Sequence, residues 1–373
     1  MKQIMQKAAQ TKLFVEIKNF YIKYERLIMP AFLVLGFVLD AITFKAIDIN
    51  TTFLLLSVHA VIVGFCIVYL RFRAERWQEK EGRVLNYGDI VAPVLMQFSL
   101  GALLSMVMIF YTFAGAVGVS WPFLAMLGFL ALSNEIFKEY YLKPLVQFVV
   151  YFFVLSALFS LILPFRFHSI SAWLFIAAGL LGLLVIFGFT WLLGKSLPHV
   201  RALQKRTLKY SGGILVIVFL FYFLNIIPPV PLSLRESSVY HRVARVGNDY
   251  EVDRERQSIF NFLVPGYTVH AAPGQKIYVF SAIFAPSELY TDVIHHWQWK
   301  NPETGEWQSM SKAAYSLLGG RTDGYRGYSF ISINIPEGKW RVDLETPRGQ
   351  VIGRIKFRVV HVAKPWEIET FVK

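Results

Sequence analysis

Apolar positions along this chain follow two regimes. From residue 27 to residue 230 they come in long unbroken runs, and beyond Pro231 they alternate with polar positions. Crossing the hydrocarbon of a bilayer takes about 20 mostly apolar residues. Seven runs qualify: 27–46, 52–70, 90–112, 117–133, 145–163, 172–194 and 212–230. The last, GGILVIVFLFYFLNIIPPV from Gly212 to Val230, closes the first regime. Pro228, Pro229 and Pro231 lack the N–H that a helix needs, so they are expected to stop it as it leaves the membrane.

After the prolines the period becomes two. Residues 276–285 (KIYVFSAIFA), 293–300 (VIHHWQWK), 307–311, 326–335, 339–346 and 350–360 each read as strands. Asn301-Pro302-Glu303-Thr304-Gly305, Pro336-Glu337-Gly338 and Pro347-Arg348-Gly349 supply the turns between them. One or two further strands between Tyr240 and His270 bring the total to seven or eight, at the spacing of a β-sandwich. The predicted fold is a membrane all-α bundle of about seven transmembrane helices followed by an all-β immunoglobulin-like sandwich. The boundaries are a basic amphipathic segment 1–26, a membrane domain 27–231 and a soluble domain 232–373.

Composition supports this division: 55% of residues are hydrophobic and the mean hydropathy is +0.46. Net charge changes the picture more. Of the +13, residues 1–231 hold 20 Lys/Arg against 10 Asp/Glu, and the remainder 18 against 15. Most of the excess therefore lies in the membrane half, where it has a topological meaning, and nucleic acid is not an expected partner. Counted by loop, the N-terminus and segments 71–89, 134–144 and 195–211 carry 18 basic residues, while the alternate loops carry only Lys45 and Arg166. Basic loops stay cytoplasmic. The expectation is thus a multi-pass protein of a bacterial inner (cytoplasmic) membrane, with a cytoplasmic N-terminus and a periplasmic C-terminal domain. Residues 1–26 interleave six basic residues with aromatic and aliphatic ones, as a helix lying on an anionic leaflet would. The lone Cys66 excludes an intrachain disulfide and a cysteine zinc site.

Between about Gly274 and Val360 runs a recurring pattern. His295 and Trp297 form H-x-W; Arg326, Tyr328 and Ser329 follow; Gly338, Trp340, Arg341, Val342, Thr346 and Gly349 form G-x-W-R-V-x-x-x-T-x-x-G; and Gly353, Phe357 and Val359 close it. This stretch resembles the bacterial domain-of-unknown-function family numbered twenty-nine-fourteen. The resemblance implies an extracytoplasmic or membrane-anchored domain and brings no chemistry with it.

Candidate chemistry is sparse. Alternation places His295, Trp297 and Trp299 on one strand face, which suits stacking on a sugar ring if exposed and a sandwich core if buried. Trp297 and Trp340 read as core, whereas Trp299 and Trp307 flank the 301–306 hairpin. The guanidinium groups of Arg321, Arg326 and Arg341 suit carboxylate or phosphate, with structural ion pairs as the plainer role, and the candidate ligand-binding set is His295, Trp299, Trp307, Arg321, Tyr325 and Arg326. The neighbours His295 and His296 point to opposite faces, so no metal site is expected of them, and no catalytic residue or cofactor is read. Inside the bundle, Asp40 and His59 are costly ionisable groups near the outer ends of consecutive runs, where they can pair.

Two functions follow. One is a membrane-anchored sandwich that binds an envelope glycan or a periplasmic protein, with the bilayer as its other partner. The alternative is a transporter or membrane enzyme working around Asp40 and His59.

Overall fold

The computed structural model describes residues 49–79, 87–114, 117–247, 249–255, 267–272, 274–286, 288–320, 324–332, 335–363 and 367–373. The segment 1–26, the apolar run 27–46 with Asp40, and Arg321 lie outside them.

Helices come first: α1 (Ile49–Glu79), α2 (Tyr87–Phe113), α3 (Val117–Ile136), the single turn α4 (Lys138–Tyr141), α5 (Pro144–Arg166), α6 (Ala172–Ser196) and α7 (Pro198–Phe223). All except α4 are long and apolar enough to cross a membrane. Each of the six predicted runs within the described residues falls on one of them, the short 117–133 run included.

Two expected loops are helical instead. Arg71 and Arg73 continue α1, and Arg201, Lys205, Arg206 and Lys209 lie in α7. Pro198 starts α7 at the position where a missing N–H costs nothing, and Arg and Lys are good helix formers. At 26 residues α7 is about 39 Å long, more than the ~30 Å thickness of a bilayer's hydrocarbon, and its basic residues are confined to its first half.

The far end of α7 also differs from expectation. The helix stops before the prolines, because Asn225 turns into the left-handed region (φ 57°). Its N–H donates to the Tyr222 carbonyl (3.1 Å) and that of Ile226 to the Phe221 carbonyl (2.9 Å), the two bonds of a Schellman cap.

The chain divides into two compact units. Among the described residues, the first takes those up to 109 with 125–159 and 178–216, and the second those of 110–124, 160–177 and 217–373. In the first, polar side chains close on backbone of neighbouring helices: the Tyr151 hydroxyl donates to the Ala60 carbonyl (3.1 Å), Arg71 to Leu142 (3.2 Å) and Asn134 to Gln97 (3.1 Å). Phe65, Phe98 and Leu184 are exposed, as lipid-facing side chains are.

The second unit holds the β domain, with strands β1 (Ser233–Tyr240), β2 (Arg242–Val246), β3 (Asp249–Glu255), β4 (Tyr267–Ala271), β5 (Ile277–Phe284), β6 (Tyr290–Lys300), β7 (Trp307–Leu318), β8 (Tyr325–Ile331), β9 (Gly338–Glu345), β10 (Val351–His361) and β11 (Ile368–Val372). They form three sheets, ordered β1-β5-β8, β4-β10-β9-β6-β7 and β11-β3-β2. The first two face each other across the main core, with Trp297, Trp340, Val342, Leu344 and Phe357 opposite Ile277, Val279 and Ile283. Phe280 and Ala282 on the other face of β5 pack with Tyr240, Val243 and Val252 against the third sheet. Buried on both faces, β5 reads as the continuous apolar run KIYVFSAIFA instead of an alternating one.

The ends of the helices in this unit seat the β9–β10 turn. Gly349 (φ 83°) allows the tight reversal, and its N–H donates to the Thr346 carbonyl (2.8 Å). Buried Gln350 donates to the Ile227 carbonyl (3.2 Å), Asn225 to the Arg348 carbonyl (3.2 Å), and the Arg348 guanidinium lies 4.4 Å from the Tyr222 ring centre. Tyr222 in turn stacks on Phe175 at 4.0 Å.

Candidate binding face

Strand alternation in the five-stranded sheet sends one set of side chains into the core and the other outward. Inward go His295 and Trp297, both fully buried. His295 is held by four polar neighbours in a line: Trp297 Nε1 donates to Ser329 Oγ (2.9 Å), Ser329 Oγ lies 2.8 Å from His295 Nδ1, and His295 Nε2 lies 3.0 Å from Ser281 Oγ, itself 2.9 Å from the Tyr315 hydroxyl. A neutral imidazole protonated on Nε2 gives each bond one donor. Burial pushes the His295 pKa down to about 4, so the ring stays neutral at physiological pH. Burial likewise pushes the Tyr315 phenol up, although the bond to Ser281 opposes it.

The other candidates are dispersed. Trp299 is half-buried against the core and donates Nε1 to the Glu337 carbonyl (3.0 Å). Tyr325 packs on the same core beside Tyr315, ring centres 6.4 Å apart. Arg326 lies on the β1-β5-β8 sheet and points its guanidinium at the Lys373 carbonyl (3.1 Å) and Asp249 (3.6 Å). Of the candidates among the described residues, only Trp307 belongs to the outward face. His295, Tyr325 and Arg326 therefore do not share a surface with it, because the strand period that aligns His295 with Trp299 also turns His295 into the core. In the bundle, His59 Nδ1 lies 3.2 Å from Ser99 Oγ.

On the outward face the structure brings together Trp307 and Arg341, which sequence reading named separately, with neighbours it did not name. Register places Ser309, Gln298, Arg341 and Lys356 in one row across β7, β6, β9 and β10, and Lys312, His296, Asp343 and Arg354 in the next. Arg354 grips buried Asp343 with two bonds (2.6 and 2.7 Å), which holds the guanidinium's pKa above its usual value against the effect of burial. His296 reaches Glu345 (3.1 Å) and Ser309 (2.9 Å). Arg341 donates Nε to Gln298 Oε1 (2.8 Å), and its guanidinium lies over the Trp307 ring at 4.4 Å. Burial lowers the Arg341 pKa and neighbouring Asp343 raises it; the group remains a cation. Exposed Lys339, Lys356 and Arg358 add positive charge. The result is an indole pinned under a cation at the edge of a basic strip, suited to a ring-shaped ligand bearing acidic groups. Period-two spacing in K-W-R-V and R-I-K-F-R was the available signal, since it sets Arg341 opposite Trp340 and places Arg354, Lys356 and Arg358 together.

A second polar cluster joins two sheets. Glu255 on β3 accepts from His241 Nε2 (2.9 Å) and from His270 Nδ1 on β4 (2.8 Å). Burial pushes the Glu255 pKa up, but these bonds and the His270 amide outweigh it and leave the carboxyl below its usual range. Nothing in the sequence marks this cluster, because its members stand 14 and 15 positions apart.

A comparison with the curated proteins finds no match. Among solved structures, Pseudomonas fluorescens alkylpurine DNA glycosylase AlkC bound to DNA containing an abasic site analog aligns with 83% of this chain and 98% of its own at 10% identity. Its TM-score of 0.20 carries no argument. Residues 290–359 match the family described as Protein of unknown function (DUF2914), from the first residue of β6 to β10. The stretch supplies four of the five strands of the large sheet, with its inward indoles Trp297 and Trp340 both packed against Phe357. The C-terminal β domain of this chain carries a DUF2914 domain, set behind a series of membrane-span-like helices.

Proposed function

We propose that this is a multi-pass protein of a bacterial inner membrane whose β domain stands in the periplasm and binds an acidic envelope glycan. The observation that carries the reading is Arg341 lying over Trp307 beside the basic row of β10. An indole offers its face to the C–H side of a sugar, and guanidinium and ammonium groups meet carboxylates. The 18-to-2 distribution of basic residues supports the orientation. The alternative centred on Asp40 and His59 has less behind it. His59 is already bonded to Ser99, and Asp40 lies outside the described residues.

The test is a titration of the full chain in detergent micelles with soluble, carboxylate-bearing peptidoglycan fragments and with a neutral oligosaccharide. Trp307→Ala is expected to weaken binding of the acidic fragments about tenfold, the scale of a cation–π and stacking contact. Equal affinity in the variant and the parent, or equal affinity for the neutral sugar, rejects the reading.

A further inference from the structure

We infer a second site, for the phosphate-bearing headgroup of a membrane lipid, in the cleft between the α2–α3 end and the β10 edge. The cleft has a volume of about 440 Å³, and its walls include Phe113 at the end of α2, Val117 and Gly118 at the start of α3, Leu234 on β1, and Arg354 and Lys356 on β10. Both helices have the length and apolarity of membrane spans, so their facing ends mark the level at which chain leaves hydrocarbon for headgroups. One wall is therefore apolar and the other cationic. A phospholipid has the same division, with an acyl–glycerol part next to a phosphate.

The cations differ in their commitments. Arg354 spends two donors on Asp343, whereas Lys356 is exposed. Lys356 thus offers the charge that a phosphate would meet, and Arg354 keeps donors beside it. The cleft also has room at a defined point: a Cβ built on Gly118 meets nothing within 4 Å. A soluble sugar phosphate would satisfy Lys356 but leave Phe113, Val117 and Leu234 facing water, which favours the lipid. The inference relies on the helices crossing a bilayer; because Lys356 also stands in the row beside Arg341, Gly118 on the helix side is the position that separates this site from glycan binding at Trp307.

Native mass spectrometry of the full chain in neutral detergent, with added phosphatidylglycerol or zwitterionic phosphatidylcholine, tests it. The parent is expected to retain phosphatidylglycerol preferentially. Lys356→Gln should reduce that preference about fivefold, the factor one basic side chain is worth next to an anionic bilayer surface. Gly118→Leu should abolish retention of both lipids by filling the cleft. Unchanged retention in both variants, with an unchanged melting midpoint, overturns the site. Competition by millimolar glycerol phosphate as effective as by the lipid would also overturn it, by reducing the cleft to an anion site. If the chain instead proves extractable from membranes without detergent, the spanning reading fails and the lipid site fails with it.

Discussion

At the scale of single residues, the same side-chain type has opposite roles according to the face it takes. His295 and His296 are adjacent, yet one is sealed in the core between Ser281 and Ser329 and the other reaches Glu345 on the surface. Its depressed pKa makes His295 a source of acid sensitivity. The unfolded chain takes up the proton from about pH 6.5 downward and the folded chain only near pH 4, so this contribution is intact above pH 6.5 and lost as pH falls through that window. The expected loss between pH 7 and pH 5 is about 2 kcal/mol. Urea unfolding of the full chain in micelles, followed by tryptophan fluorescence, checks this, and His295→Asn should flatten the dependence. The tryptophans divide similarly. Trp340 is 1% exposed and bonded to the Pro336 carbonyl, so Trp340→Ala should cost ~3–5 kcal/mol by opening a cavity. Trp307→Ala should leave the melting midpoint nearly unchanged while lowering affinity for acidic glycans. Equal destabilisation by the two substitutions would make Trp307 a core residue and remove the basis of the binding face.

At the scale of elements, close approach decides more than strand propensity does. On β8, Gly327 lies under the Tyr315 ring: a Cβ there would come within 2.4 Å of it. Gly327→Ala should therefore displace Tyr315 from Ser281 and destabilise the domain by ~1–3 kcal/mol, measured by the same urea titration. A shift below about 0.5 kcal/mol would mean that the ring moves freely and that the polar line through His295 is loosely held. The β9–β10 turn shows the same dependence on neighbours. Buried Gln350 bonds to the Ile227 carbonyl, and Gln350→Ala should raise protease sensitivity at residues 224–232, since it leaves that carbonyl unpaired at a cost of ~1–3 kcal/mol. Strands β1 and β11 escaped sequence reading, and β2 and β3 were expected only as one or two strands without bounds between Tyr240 and His270, because sequences such as SLRESSVY and IETFV place charged residues at half-buried positions and show no clean alternation. In β7, the exposed outward positions and the small inward Ala313 hid the strand beyond residue 311.

At the scale of the whole molecule, the orientation proposed here makes a direct prediction. Alkaline phosphatase fused after Lys373 should be active and the same fusion at Gln204, in the basic half of α7, inactive. Activity at Gln204 would reverse the topology and move the β domain into the cytoplasm. The sequence alone determined that long apolar helices precede a β domain, because a bilayer demands span-length apolar runs and a half-buried strand demands period two. It also determined that Trp297 and Trp340 are core and that His295 and His296 face opposite ways, since both follow from local periodicity. Only the tertiary structure decided which face of the large sheet is outside, and so that Trp307 meets Arg341 while Arg326 belongs to another sheet. It also decided that Asn225 ends α7 ahead of the prolines, and that Glu255 joins His241 and His270. These depend on register and on contacts between residues far apart in the chain, which pairwise sheet geometry fixes and local pattern does not encode.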